Sequence, residues 1–108
     1  MNKSIPAICV LASLFVSPAA DAEVWPSRLI KATIPFGAGS AADVVPRLVF
    51  DRLAIELGQP IVIENKVGAG GTIGTGMVAK ADPDGYSILS NSNALTITPA
   101  IFANDGTR

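Results

Sequence analysis

Three short loops carry the residues whose types and spacing could do chemistry. Two of them, at residues 37–40 and 68–72, are rich in glycine, and the third, at residues 90–93, holds only serine and asparagine. Glycine lets a backbone approach a ligand closely, and hydroxyl and amide groups donate hydrogen bonds to anions. The loops therefore indicate capture of a polar or anionic ligand, although glycines that serve only tight turns are the alternative interpretation.

The chain lacks the groups that many catalytic and metal sites need. Its 108 residues include no histidine and one cysteine, which excludes a histidine-based metal site and a Ser-His or Cys-His dyad. The acidic residues are typical of helices, strand ends and turns, such as the turn at residues 82–85. The net charge is -1 and the basic residues form no stripe, so nucleic acid is not an expected partner. We therefore expect a binding protein without metal or cofactor, and not an enzyme.

The order of the elements explains how these loops could meet. Short β-branched or apolar runs at residues 30–34, 61–63 and 86–89 predict three strands. Helical periodicity separates them over residues 43–57 and, more weakly, over residues 73–81. This βαβαβ order predicts an α/β fold with a parallel sheet and right-handed crossovers. Loops that follow parallel strands emerge at one edge, so all three should lie together at the carboxyl ends of the strands.

The ends of the predicted helices carry specific expectations. Proline disfavours a helix interior, so Pro46 favours a first helix that starts late, with Asp43 as its N-cap, over a start at Ser40. Thr72 is the expected N-cap of the second helix. Gly58 is placed to end the first helix. The two glycine-rich loops thus lead into helix N-termini, whose free N–H groups favour anions.

The remaining patterns concern burial. Residues 61–63 form a continuous apolar run, which is typical of a strand covered on both faces. The first helix divides between an apolar, inward face and a charged face at i,i+4 ion-pair spacing. The apolar set is Val45, Val49, Phe50, Leu53 and Leu57, and the charged set is Asp43, Arg47 and Asp51.

The N-terminal segment has the composition of a secretory signal. A positive charge precedes an uncharged, largely apolar stretch at residues 4–20, and residues 20–22 read Ala-Asp-Ala, the small-residue pattern that a signal peptidase requires. The apolar stretch is shorter than the roughly 20 residues of a membrane-spanning helix, which disfavours an anchor. We therefore expect residues 1–22 to be a cleavable signal peptide, cut after Ala22, and residues 23–108 to be exported.

A dinucleotide-binding fingerprint supports a second interpretation. Gly37-x-Gly39-x-x-Ala42 matches the G-x-G-x-x-A form, and Glu64 stands where a ribose-binding carboxylate would follow. The export signal argues against a nicotinamide-dependent oxidoreductase, and so does Pro46, which would lie inside a Rossmann helix. A secreted structural module without a ligand is the third interpretation.

Four separated motifs resemble one family of solute receptors. They are WPSRLIK leading into IPFGAGSAADVVPR at residues 25–47, GQPIVIENKVGAGGTIG at 58–74, ADPDGYSIL at 81–89 and TPAIF at 98–102. With the signal segment, they resemble the substrate-binding protein of tripartite tricarboxylate transporters, also called the Bug family. The resemblance implies a periplasmic receptor of the type II periplasmic-binding-protein class, in which two α/β lobes close around a small carboxylate. Membrane permease subunits are its implied partners.

The same resemblance implies ligand contacts from all three loops, mainly through backbone groups and partly through water. The implied site residues are Phe36, Gly39, Ser40, Asp43, Gly70, Gly71, Thr72, Ser90, Asn91 and Ser92. Receptors of this family are much longer than this chain. We therefore expect residues 23–108 to be a partial N-terminal lobe, present as a truncated receptor.

Overall fold

The computed structural model describes residues 21–101, which form a parallel α/β unit. The strands are β1 (Ile30–Ile34), β2 (Ile61–Asn65) and β3 (Ser87–Leu89). They make one sheet in the order β2-β1-β3, with Ile30 opposite Ile61 and Lys31 opposite Ser87. The parallel βαβαβ arrangement predicted from the sequence is confirmed.

Helices connect and follow the strands. They are α1 (Ala41–Leu57), α2 (Thr72–Ala79) and α3 (Ala94–Ile101), with a single 3₁₀ turn, Ala69–Gly71, before α2. Sequence patterning does not predict α3, because Pro99 lies inside this helix. No helix within residues 21–101 has the length and apolar character to cross a membrane. The signal-peptide prediction falls almost wholly on residues 1–20, outside the described residues, and stays a prediction.

The first helix begins earlier than predicted. It starts at Ala41 with Ser40 as its N-cap, and Pro46 lies in its interior, so the prediction of a late start with Asp43 as N-cap is wrong. The backbone N–H of Asp43 donates to the Ser40 carbonyl at 2.9 Å, which forms the first turn upstream of the proline. Pro46 forfeits one intrahelical hydrogen bond without ending the helix. The helix ends as predicted, at Gly58, whose φ of 68° is left-handed.

The buried face of α1 also differs from the predicted one. Phe50 is buried as expected, but Val45 and Val49 are 60% and 58% exposed. Asp43 was expected on the outward face and is instead buried. Its i,i+4 ion pair with Arg47 is confirmed at 2.9 Å. A pattern of polarity cannot reveal that a carboxylate has hydrogen-bond partners from a distant part of the chain, and this is why the face was assigned wrongly.

The central strand forms the core of the described unit. Ile30, Ala32 and Ile34 are fully buried because β1 is flanked by a strand on each side. β2 lies at the edge of the described sheet, and Val62 is 45% exposed. The prediction that this strand is covered on both faces is therefore wrong for residues 21–101. Tyr86, just before β3, is buried at the amino end of the sheet.

Candidate functional site

All three loops leave the sheet at the carboxyl ends of the strands, as predicted. They are loop 1 (residues 35–40), loop 2 (residues 66–71) and loop 3 (residues 90–93). The N–H of Lys66 donates to the Ile34 carbonyl at 2.9 Å, and the N–H of Ser90 donates to the Thr33 carbonyl at 3.0 Å. These bonds continue the parallel ladder past the strand ends and hold loop 2 and loop 3 on either side of loop 1.

Loop 1 and the start of α2 are closely packed. Gly71 is buried with a φ of 90°, and a Cβ added there would lie 3.5 Å from the Pro35 side chain and 3.7 Å from the Phe36 ring. Gly74, in the first turn of α2, is tighter, since its added Cβ would lie 2.9 Å from the Lys66 carbonyl oxygen. Glycine at these two positions therefore lets α2 approach loop 1 at backbone distance.

Loop 3 contacts α2, and α3 contacts loop 2. The Asn91 Nδ2 donates to Thr75 Oγ1 in α2 at 2.9 Å. The buried Thr98 Oγ1 in α3 donates to the Gly70 carbonyl over a longer 3.4 Å. The three loops thus form one continuous surface, which we call the rim.

A polar group of three side chains lies under loop 1, with Asp43 buried and Arg47 and Asn65 half-buried, and we call it the Asp43 cluster. The Asp43 carboxylate accepts hydrogen bonds from Arg47 Nε at 2.9 Å and from Asn65 Nδ2 at 2.8 Å. It also accepts the backbone N–H of Gly39 at 2.9 Å. Asn65 Nδ2 donates as well to the Phe36 carbonyl at 2.9 Å, and Asn65 Oδ1 accepts from Arg47 at 2.9 Å. The cluster therefore joins loop 1, the first turns of α1 and the end of β2.

These contacts keep Asp43 ionised. The Arg47 guanidinium is the main cause that holds the pKa of the Asp43 carboxyl far below its usual range, and the Asn65 amide and Gly39 N–H act in the same direction. The hydrogen bond that Arg47 donates to Asp43 raises the pKa of Arg47 in turn. One carboxylate and one guanidinium leave the cluster without net charge at neutral pH. An anion can therefore approach the rim without meeting an unpaired buried carboxylate.

Several of the predicted site residues use their side chains in local hydrogen bonds. Ser40 Oγ donates to the Gly37 carbonyl, and Thr72 Oγ1 donates to the Ala69 carbonyl, both at 2.8 Å. A hydroxyl proton held by a carbonyl is not free for a carboxylate. Thr72 is also the first residue of α2 and not its N-cap, so that prediction is wrong. The N-cap is Gly71, because the backbone of Thr72 is already helical.

Backbone donors remain free at the start of α1. No acceptor within residues 21–101 pairs with the N–H of Ala41 or of Ala42, as is usual for the first residues of a helix. Ser90 is half-buried, and none of the hydrogen bonds within residues 21–101 uses its hydroxyl. The rim thus presents donors to an incoming ligand mostly from the backbone.

Two residues of this region were missed as parts of the candidate site. Arg47 was expected only as a surface ion-pair partner, and Asn65 was given no role. A polar side chain at the carboxyl end of an apolar strand, next to a glycine-rich loop, is the signal that identifies Asn65. No group of three or more acidic, cysteine or histidine side chains within residues 21–101 could hold a metal ion.

The chain matches the family model described as "Tripartite tricarboxylate transporter family receptor" over residues 45–105. A UPF0065 protein of Bordetella bronchiseptica is 40% identical over 123 aligned positions, which cover 97% of this chain and 36% of that protein. Protein BugT of Bordetella pertussis is 36% identical over 84% of this chain and 30% of its own length. The chain therefore spans about a third of the length of these curated relatives.

Solved structures share the fold described above. Periplasmic binding protein BugD superposes with a TM-score of 0.58 and 51% identity, over 60% of this chain and 22% of BugD. MatC from Rhodopseudomonas palustris, solved with bound malate, superposes with a TM-score of 0.58 and 45% identity, over 59% of this chain and 22% of MatC. An R. palustris protein solved with adipate superposes with a TM-score of 0.59 and 38% identity, over 60% of this chain and 22% of that protein. The described unit is therefore part of one α/β lobe of the periplasmic-binding-protein type. The chain belongs to the tripartite tricarboxylate transporter receptor family, the Bug family, whose members are solute-binding receptors and not enzymes.

Proposed function

We propose that this chain is the ligand-capturing portion of a periplasmic receptor that binds a small carboxylate for a tripartite tricarboxylate-type transporter. The observation that carries the proposal is the rim, in which three polar or glycine-rich loops meet at the carboxyl ends of parallel strands. Open α/β sheets bind ligands at this edge. The relatives solved with malate and with adipate support a dicarboxylate as the substrate class.

The chemistry of the rim suits an anion. Its free donors include backbone N–H groups at the start of α1, where the helix dipole adds positive potential. The Asp43 carboxylate is buried and paired, so it does not repel a ligand as an exposed acid would. Each hydrogen bond to a carboxylate contributes about 1.5–3 kcal/mol, and a few of them are enough for micromolar capture.

The proposed role of each site residue follows from which of its hydrogen-bonding groups are available to a ligand. Asp43 shapes loop 1 and does not contact the ligand, because its carboxylate is buried. Ser90 offers a free hydroxyl, and the remaining residues act mainly through backbone groups or water. These remaining residues are Phe36, Gly39, Ser40, Gly70, Gly71, Thr72, Asn91 and Ser92.

Export and delivery complete the proposal. Residues 1–22 direct export and are removed after Ala22, in keeping with the composition of that segment. BugD, at 51% identity, is a periplasmic binding protein. Membrane permease subunits of the transporter then accept the ligand from the receptor.

The dinucleotide interpretation has weaker support. Pro46 does not argue against it, because α1 accommodates this proline in its interior. However, Glu64, the residue assigned to the ribose, forms ion pairs with Lys31 at 3.2 Å and with Lys66 at 3.9 Å. The family match is to solute receptors, which does not favour an oxidoreductase.

Calorimetry tests the proposal. The chain is titrated with malate, adipate, citrate and NAD, in parallel with a chimera in which residues 23–101 replace the matching segment of full-length BugD. We expect saturable binding of at least one of the carboxylates, tighter in the chimera, and no heat from NAD. Binding of NAD without a response to any carboxylate in either protein would contradict the proposal.

A further inference from the structure

We propose that Asn65 is a positioning residue, which acts with Arg47 through the Asp43 carboxylate to hold loop 1 in the shape that receives the ligand. The inference rests on the proposed function, and it assigns roles to two residues outside the rim. Neither side chain needs to touch the ligand for this role.

The first step is the reach of the Asn65 amide. Its Nδ2 donates to two acceptors that belong to different segments, the Phe36 carbonyl at 2.9 Å and the Asp43 carboxylate at 2.8 Å. Its Oδ1 accepts from Arg47 at 2.9 Å. One amide at the end of β2 thus joins loop 1 to α1, and no isosteric apolar side chain could replace these bonds.

The second step is what the cluster holds in place. Gly39 donates its backbone N–H to the Asp43 carboxylate at 2.9 Å. The other bonds of this turn join residues near one another in the chain. The Gly37 carbonyl accepts the Ser40 N–H at 3.2 Å and the Ser40 hydroxyl at 2.8 Å, and the Ser40 carbonyl accepts the N–H groups of Asp43 and Val44 at 2.9 Å in the first turn of α1. The Asp43 carboxylate therefore ties the Gly39 backbone to Asn65 at the end of β2 and to Arg47 in α1, beyond the bonds between the turn and the start of α1.

The third step concerns binding. A receptor binds its ligand more weakly when a loop must become ordered on binding, because part of the binding free energy is used to fix the conformation of that loop. The Asp43 cluster fixes the loop beforehand and carries no net charge. The N–H groups of Ala41 and Ala42 directly follow loop 1, so an ordered loop 1 also fixes the position of these donors. Loss of Asn65 should free the loop while leaving the buried strand β1 intact.

The test compares Asn65→Ala with a matched control, Gln59→Ala, which removes an amide just before the other end of β2. Amide hydrogen exchange is measured in the full chain at Gly39 in loop 1 and at Lys31 in β1, whose N–H donates to the Tyr86 carbonyl. Malate affinity is measured by titration of the same samples. We expect Asn65→Ala to speed exchange at Gly39 and to weaken malate binding, each by about tenfold or more, with Lys31 unchanged. Gln59→Ala should change neither.

Unchanged exchange at Gly39, or an equal rise at Lys31, would overturn the inference, since the effect would then be absent or global. Faster exchange at Gly39 with unchanged malate affinity would also overturn it. If Asn65→Ala does not fold, Arg47→Lys replaces it, because this variant keeps the charge but loses the bonds made by the guanidinium, and the same loop-specific result is expected. Failure of the proposed function would instead appear in the wild-type chain and the BugD chimera, as absence of carboxylate binding.

Discussion

Two arginine–aspartate pairs, one at each end of the sheet, have the same separation and very different surroundings. At the carboxyl end, Arg47 and Asp43 are 2.9 Å apart, and their side chains are 40% and 3% exposed. At the amino end, Arg28 and Asp84 are also 2.9 Å apart, but their side chains are 57% and 39% exposed. Water screens an exposed pair, whereas removing one member of a buried pair strands the other charge. The distance between the charged atoms therefore does not show which of the two pairs contributes more to the stability of the fold.

The two pairs also differ in what they hold. The Arg28 guanidinium lies 3.7 Å from the centre of the Tyr86 ring, and Trp25 lies 6.1 Å from the same ring. The Tyr86 hydroxyl accepts the Ser27 N–H at 2.9 Å. We call Trp25, Arg28, Asp84 and Tyr86 the amino-end cluster. It anchors the segment before β1 to the turn before β3, while the Asp43 cluster shapes a loop of the candidate site.

The largest expected difference is between Asp43→Asn and Asp84→Asn. Asp43→Asn leaves the Arg47 guanidinium without its carboxylate in a half-buried place, so it should lower the free energy of unfolding clearly. Asp84→Asn removes an exposed pair and should cost less than about 1 kcal/mol. Urea denaturation followed by circular dichroism measures both. Equal losses would show that burial does not distinguish the two pairs.

Acid should remove the stability that the ionised Asp43 carboxylate contributes to the fold. The pKa of Asp43 is far lower in the folded chain than the usual unfolded value of about 3.9, so the unfolded state binds the extra proton first. The stability that Asp43 contributes is thus fully present above about pH 4 and is lost as the pH falls further toward the folded pKa. We expect the wild type and Asp43→Asn to converge in stability below pH 4. A gap between them that stays constant from pH 7 to pH 3 would contradict this assignment.

Close packing at the carboxyl end predicts a smaller but position-specific effect. Gly74→Ala places a Cβ 2.9 Å from the Lys66 carbonyl oxygen and 3.0 Å from Pro35, which should cost about 1–3 kcal/mol. Gly76→Ala in the same helix meets nothing within 4 Å and should stabilise by about 0.5–1 kcal/mol. Thermal unfolding of both variants checks the pair. Similar shifts in both would mean that α2 is not packed against loop 1 as closely as described.

The smallest effect is expected at the amino end. Arg28→Ala removes an exposed ion pair and the contact with the Tyr86 ring, and should cost about 0.5–1 kcal/mol. Because the ion pair is exposed, part of this loss should disappear at 1 M salt. Chemical denaturation at low and high salt measures it. A loss as large as that of Asp43→Asn would remove the contrast between the two ends.

Much of the fold could be predicted because its causes are local. The run at Ile30–Ile34 reports a buried strand, Gly58 ends a helix, and polar or glycine-rich residues mark the three loops. Parallel order then requires the loops to share one edge of the sheet. These features depend on neighbouring residues and on chain order, both of which the sequence displays.

The features that could not be predicted depend on partners distant in the chain. Asp43 faces inward because Asn65, 22 positions later, donates to its carboxylate. The same contact gives Asn65 its role, which no pattern around residue 65 could specify beyond its position at the end of a strand. The helix start was predicted wrongly because the low helix propensity of Pro46 was given more weight than the contacts that stabilise the first turn of α1. The candidate site was thus predictable as a set of loops, but the Asp43 cluster beneath loop 1 was not.

The most direct test of the account is a malate titration of the ¹⁵N-labelled chain observed through its backbone amides. We predict saturable shifts at Ala41 and Ala42, at Gly70–Thr72 and at Ser90, with no response from the amino-end cluster. Absence of saturable shifts in a well-dispersed, folded spectrum, or shifts confined to the amino-end cluster, would contradict the assignment of the rim as the carboxylate site.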